Sequence, residues 1–186
     1  NTSPGLGFKK IINNNSTIRD IKILNNFFMG VGAGVTFDGD KNIAGEKFPF
    51  KDIEINDNRM DTAGVLGINK FGVILESVEN VEISGNKIGN FKSQVSNTDA
   101  GIVIGAGSKD VNISGNEIYN LGHTGNAGNG AHGINVSSNE PDSKIDISNN
   151  VIHGISGDGN NSANSADIFN PAGIFVSDSV ADINII

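Results

Sequence analysis

The stretch "VENVEISGNKIGNF" (residues 78–91) is written again as "SKDVNISGNEIYNL" (residues 108–121), and both carry the frame aliphatic-x-Ile-Ser-Gly-Asn-x-Ile. The frame returns, loosened, at Ile21/Ile23/Asn26/Phe28, Ile53/Ile55/Asn58/Met60 and Ile145/Ile147/Asn150/Ile152, and "ADINII" at the C-terminus begins it once more. Successive Asn positions lie 32, 28, 30 and 34 residues apart, so the repeat is real but elastic. A second element sits between the copies: Gly34-Val-Thr-Phe37, Gly72-Val-Ile-Leu75, Gly101-Ile-Val-Ile104, Gly133-Ile-Asn-Val136 and Gly173-Ile-Phe-Val176. Repetition at such a period marks solenoids and arrays.

Each apolar piece alternates with period two and favours Ile and Val, which predicts strand, and no longer window keeps a helical period. Three short strands per unit predict an all-β fold: a single-stranded right-handed parallel β-helix, a solenoid of about five to six coils. Inward side chains then form columns. Val35, Val73, Ile102, Ile134 and Ile174 make one, and Phe37, Leu75, Ile104, Val136 and Val176 a second. Ile23, Ile55, Ile83, Ile113 and Ile147 make a third, and Phe28, Met60, Ile88, Ile118 and Ile152 a fourth. A one-residue slip would turn a whole column to water, so the register is firmly set. The spacing Val78-x-x-Val81-x-Ile83-x-x-Asn86 also fits a leucine-rich repeat. Leucine is scarce there, however, and the second piece is a strand rather than a helix. Between the strands, Ser-Gly supplies a bend with φ > 0 at Gly85 and Gly115 (Asn25, Asp57 and Asn149 elsewhere). The Asn that follows, at 26, 58, 86, 116 and 150, is expected to stack in a ladder of amides.

The chain has 186 residues, 25 of them Gly, no Cys or Trp, and a formal net charge of −8. Residues 1–186 are read as one β-helix segment, expected to belong to a longer chain because the repeat is open at both ends. The scattered Lys and Arg of an acidic chain argue against nucleic acid or anionic lipid as partner. No apolar run is long enough for membrane insertion, and without Cys there is neither a disulfide framework nor a thiolate metal site.

The units at 81–88 and 111–118 resemble the repeats of the pectate-lyase-like right-handed β-helix superfamily, and the resemblance runs from about Ile18 to Ile185. It implies a cleft beside the loops that precede the Gly-led strands. It leaves activity open, because that superfamily contains polysaccharide lyases, glycoside hydrolases, epimerases, phage tailspikes and autotransporter adhesins.

The connections from Met60 to Gly72, Ile88 to Gly101, Ile118 to Gly133 and Ile152 to Gly173 grow along the chain, whereas the Ser-Gly-Asn turn keeps its length. Variable loops on a rigid frame are where function is expected. All three histidines, His123, His132 and His153, fall in these connections. With Asp158 and Asp167 they are the candidate acid–base cluster. Asn97-Thr98-Asp99-Ala100-Gly101 and Ala131-His132-Gly133 imitate polygalacturonase motifs, but the paired Asp residues and the Arg-Ile-Lys of that family are missing. Nor is there a basic pair to serve as a lyase base.

The outward positions of the Gly-led strands read Thr36, Ile74, Val103, Asn135 and Phe175. Asn135, Phe175 and Val103, with Asp99, form the candidate ligand-binding face. The outward column of the next strands, Lys22, Glu54, Glu82, Asn112, Asp146 and Asn184, reads as a solvated face that resists aggregation. No cofactor is expected. Ca²⁺ enters only through Asp38, Asp40 and Asn42, which open like an EF-hand loop but lack its Gly at position 6 and Glu at position 12.

The expectation is a non-catalytic segment of a bacterial exported surface protein, an adhesin or autotransporter-like passenger, secreted or held at the cell surface. Its partner would be a polysaccharide, or a host or cell-surface glycan or protein, with end-to-end or trimeric association. The alternative is a carbohydrate-active enzyme, a polysaccharide lyase or glycoside hydrolase (tailspike-like forms included), with its cleft at the same loops.

Overall fold

The computed structural model describes residues 4–9, 17–39, 48–61, 71–93, 99–123, 130–157, 171–177 and 182–186, with backbone alone at 4, 93 and 123. Every regular element among them is a strand. The first round lays down β1 (Pro4–Lys9), β2 (Ile21–Leu24) and β3 (Phe27–Met29), and the second β4 (Ala33–Asp38), β5 (Phe50–Asn56) and β6 (Arg59–Asp61). Then follow β7 (Phe71–Glu76), β8 (Val78–Ser84) and β9 (Lys87–Ser93), and next β10 (Asp99–Ile104), β11 (Lys109–Ser114) and β12 (Glu117–His123). After β13 (Ala131–Val136), β14 (Lys144–Ser148) and β15 (Val151–Ser156) come β16 (Ala172–Val176) and β17 (Asp182–Ile185).

Each strand pairs in parallel with its counterpart one round away, which builds three sheets. Sheet A is β1-β4-β7-β10-β13-β16, sheet B is β2-β5-β8-β11-β14-β17, and sheet C is β3-β6-β9-β12-β15. The result is a three-sided parallel β-helix in which sequence period and strand stacking coincide. The four columns expected from the repeat are all in register, for instance Val35↔Val73↔Ile102↔Ile134↔Ile174 and Met60↔Ile88↔Ile118↔Ile152. Their central members are fully buried in one continuous core. At the N-terminal end the core is aromatic: Phe8 stacks on Phe37 at 4.5 Å, and Phe50 meets Phe37 edge-on at 5.4 Å. Farther along, Ile, Val and Leu replace the rings.

The Gly that leads each sheet A strand sits where sheets C and A converge. A Cβ on Gly101 would lie 2.6 Å from Ile118 Cγ2 and 2.7 Å from the Gly133 carbonyl oxygen. Gly34, Gly72 and Gly133 are confined in the same way by Met60, Ile88 and Ile152. Any larger residue would push the core Ile and the adjacent strand apart.

The corner between sheets B and C is a two-residue turn in every round. Its first residue is left-handed throughout: φ is 56° at Asn25, 57° at Asp57, 65° at Gly85, 64° at Gly115 and 54° at Asn149. Asp and Asn tolerate this region better than other side chains, which is why they stand in for Gly. The second residue is the ladder Asn. Asn86 Nδ2 donates to Asn116 Oδ1 (2.9 Å), to the Ile55 carbonyl (2.7 Å) and to the Ser84 carbonyl (3.1 Å). Its backbone N–H donates to the same Asn116 Oδ1 at 3.0 Å. The pattern repeats from Asn26 to Asn58, Asn58 to Asn86 and Asn116 to Asn150. Asn58, Asn86 and Asn116 are at most 1% exposed, so these bonds satisfy polar groups that have no access to water.

Two features lie outside the sequence expectation. First, β1 is a further sheet A strand, with Leu6 on Val35 and Phe8 on Phe37. Second, Phe91, Leu121 and Ile155 form another interior column, three residues after Ile88, Ile118 and Ile152. Left-handed residues at Asn90 (58°), Asn120 (51°) and Gly154 (66°) break the alternation and let both apolar residues face inward.

Candidate functional site

The core fixes which side chains sheet A turns outward. Thr36, Ile74, Val103, Asn135 and Phe175 occupy one register line and are all half-buried. The His132 ring stacks on Phe175, with centroids 4.7 Å apart and planes 12° from parallel. Asn135 Nδ2 donates to His132 Nδ1 at 3.3 Å. Asn135 Oδ1 is buried and has no hydrogen-bond partner among the described residues. An aliphatic strip therefore ends in an aromatic and amide corner. That combination can take the apolar face of a ring and a hydroxyl at its edge.

The histidines are strand residues, not loop residues. His123 is the last residue of β12, His132 lies in β13 and His153 in β15. Sheet C extends farther into the connections than the repeat frame suggests, and what remains between strands C and A is 30–32, 62–70, 94–98, 124–130 and 157–171. Their lengths therefore do not grow steadily. Gly130 and Gly157, in the last two, form an antiparallel bridge.

His132 is 1% exposed on sheet A, whereas His153 is exposed on sheet C. There the His153 ring stacks on Tyr119 at 6.0 Å, and its Nε2 lies 3.8 Å from Glu117 Oε1. Two of the three imidazoles thus belong to different sheets. Asp158 and Asp167 lie outside the described residues, as does the side chain of His123.

Asp99 opens β10, is fully buried, and pairs in register with Ala131. It stands off the line of Val103, Asn135 and Phe175. Of the cation candidates, Asp38 ends β4 and forms an ion pair with Lys9 at 3.0 Å. Asp40 and Asn42 lie outside the described residues. No group of three or more His, Asp or Glu among the described residues is placed to hold a metal ion.

The outer face of sheet B carries the column Lys22, Glu54, Glu82, Asn112, Asp146 and Asn184, as the repeat implies. It is more than a flat solvated surface. Asp20, Asp52, Asn80 and Asp110, all left-handed, rim a groove of about 460 Å³ whose floor is this column. Its polar groups pair across rounds, Lys22 with Glu54 at 2.7 Å and Asn80 Nδ2 to Asp52 Oδ1 at 2.7 Å, and along β14, Lys144 with Asp146 at 2.9 Å. The hydrogen bond that Lys22 donates to Glu54 raises the Lys22 pKa, and the one that Lys144 donates to Asp146 lowers the Asp146 pKa. These groups are exposed, and such pairs contribute little to stability.

No helix among the described residues is long and apolar enough to cross a membrane. Comparison with family models, with curated proteins and with solved structures finds no match to this chain. Its class, a three-sided parallel β-solenoid with a buried Asn ladder, rests on the strand topology and hydrogen bonds alone.

Proposed function

We propose that this solenoid is a non-catalytic, glycan-binding segment of an exported bacterial surface protein, with sheet A as its binding face. The observation that carries the reading is the His132–Phe175 stack beside Asn135, continued by half-buried Val103 and Ile74. Aromatic rings bind the C–H face of a sugar, and a neighbouring amide fixes its orientation. The connections of unequal length border the start of the same strands, so ligand choice can vary while the coil stays constant. Kinship with the pectate-lyase-like superfamily belongs to the proposal, supported by the three-sheet coil and the Asn turn.

Binding of the purified chain to immobilised polysaccharides tests it. Phe175→Ala should weaken retention about tenfold, the loss expected for one aromatic platform. The coil should be kept, as judged by its β-sheet circular dichroism. Release of reducing ends or unsaturated products by the wild-type chain would overturn the non-catalytic reading.

A further inference from the structure

We infer that the open edge of β15 is a docking site for an extended peptide strand that carries an Asn followed by apolar residues two and five positions later. Sheets A and B run one strand farther than sheet C: β16 lies beyond β13 and β17 beyond β14, whereas β15 ends its sheet among the described residues. It pairs with β12 alone, so one row of its backbone groups faces away from the sheet. Such a row is a template for a further strand.

Three observations say what that strand must be. The first lies in the core. Ile88, Phe91, Ile118 and Leu121 are fully buried, whereas Ile152 and Ile155, next in the same two columns, are half-buried. The second lies in the ladder. The backbone N–H and Nδ2 of Asn58, Asn86 and Asn116 both donate to the Oδ1 of the following Asn. Asn150 Nδ2 reaches the Ile113 and Ser148 carbonyls at 2.9 and 3.1 Å, and no Oδ1 among the described residues.

The third lies at the leading Gly. A Cβ on Gly34, Gly72, Gly101 or Gly133 would sit 2.4 to 2.6 Å from the Met60, Ile88, Ile118 or Ile152 side chain. A Cβ on Gly173 would meet nothing nearer than Ile152 Cγ2, at 3.9 Å. These three positions define one ligand. An Asn Oδ1 accepts from Asn150, an Ile two residues on covers Ile152 and closes on Gly173, and an apolar residue three farther covers Ile155. The chain itself uses this spacing at Asn86/Ile88/Phe91, Asn116/Ile118/Leu121 and Asn150/Ile152/Ile155. The partner is therefore an extended segment laid parallel to β15 by strand addition, in which backbone pairing supplies affinity and the buried side chains supply selectivity.

The probe is a fluorescent peptide with the sequence of residues 114–123, Ser-Gly-Asn-Glu-Ile-Tyr-Asn-Leu-Gly-His, titrated with the whole chain and followed by anisotropy. Saturable binding is expected, together with slower hydrogen exchange of the Asn150 side-chain amide. Asn116→Leu or Ile118→Asp in the peptide should weaken binding about tenfold or more, since each leaves a polar group unpaired at the new contact. Gly173→Ala in the protein tests the same site from the other side. Its methyl stands clear in the free chain, so melting should not change, yet it overlaps the incoming Ile and should lower affinity about tenfold. Three results would each overturn the inference: no saturable binding by the wild-type chain, equal binding of all three peptides, or binding undiminished by Gly173→Ala. The peptide comparison uses the wild-type protein, so it stands whether or not the variant folds.

Discussion

Two corners of the coil obey opposite rules. Between sheets B and C every round spends two residues, the first left-handed and the second an Asn, and Asn58, Asn86 and Asn116 bond to the rounds on either side. Between sheets C and A the connections occupy 30–32, 62–70, 94–98, 124–130 and 157–171, and no two rounds agree. The constant corner has buried amides with no water to fall back on, so its length is locked. Among the described residues, the variable corner is pinned at its exit by Gly34, Gly72, Gly101 and Gly133, which lead sheet A strands. One rigid edge is enough to hold the register, which frees the other edge to change.

The sharpest way to break this contrast is Asn86→Leu. It removes the five hydrogen bonds of the Asn86 side chain and leaves the Asn58 backbone N–H without its Oδ1 acceptor, so a loss of about 3 kcal/mol is expected. For a chain of this size that lowers the midpoint of thermal unfolding by about 10 °C. An unchanged midpoint would sink the ladder as a source of stability. Next comes Gly101→Val at the exit of the variable corner. Its Cβ would overlap Ile118 Cγ2 and the Gly133 carbonyl, costing about 2 kcal/mol in denaturant titration. Gly101→Ala should cost less, since it introduces one methyl rather than three carbons.

Shortening the last variable connection, by replacing residues 160–166 with Gly-Ser-Gly, should change stability by about 0.6 kcal/mol or less. A cost as large as that of Asn86→Leu would show that this corner is built as tightly as the other. The smallest effect is electrostatic. The hydrogen bond from Lys87 holds the Glu117 pKa below the ordinary carboxylate range, and the pair is 3.0 Å apart on exposed sheet C. A lowered folded pKa contributes stability above the unfolded carboxylate value, and that contribution is lost as pH falls through the folded one. Lys87→Met should raise the Glu117 titration midpoint by NMR toward that of an ordinary glutamate, with little change in melting at neutral pH because salt and water screen the pair.

Much of the coil was readable from residues because both of its regularities are periodic. Alternation places Ile102 and Ile104 inside, and the Asn spacing places each turn. What escaped reading lies where alternation fails. Ile88 and Phe91 are three residues apart and both buried, which strand periodicity forbids until Asn90 turns left-handed. The pattern Ile-x-Asn/Gly-apolar, at residues 88–91, 118–121 and 152–155, was the available signal. Gly5-Leu-Gly-Phe8 also fits the Gly-led frame, but no ladder Asn precedes it to draw attention. His123 and His153 were misplaced for a related reason: bent strands β12 and β15 run past the residue where simple alternation ends, while β13 begins two residues before its Gly and so takes in His132. On the binding face, the line of Val103, Asn135 and Phe175 follows from register alone. The His132–Phe175 stack does not, because it depends on ring orientation across neighbouring strands.

The ladder bonds join residues 28 to 34 positions apart, always one round to the next. No contact of this kind waits for a distant part of the chain. During synthesis, each completed round is therefore a template on which the following thirty or so residues can be laid, and growth proceeds by accretion from one end. Since Asn26, Asn58, Asn86 and Asn116 each donate to the Asn of the later round, a finished round presents amide hydrogens to the segment about to arrive.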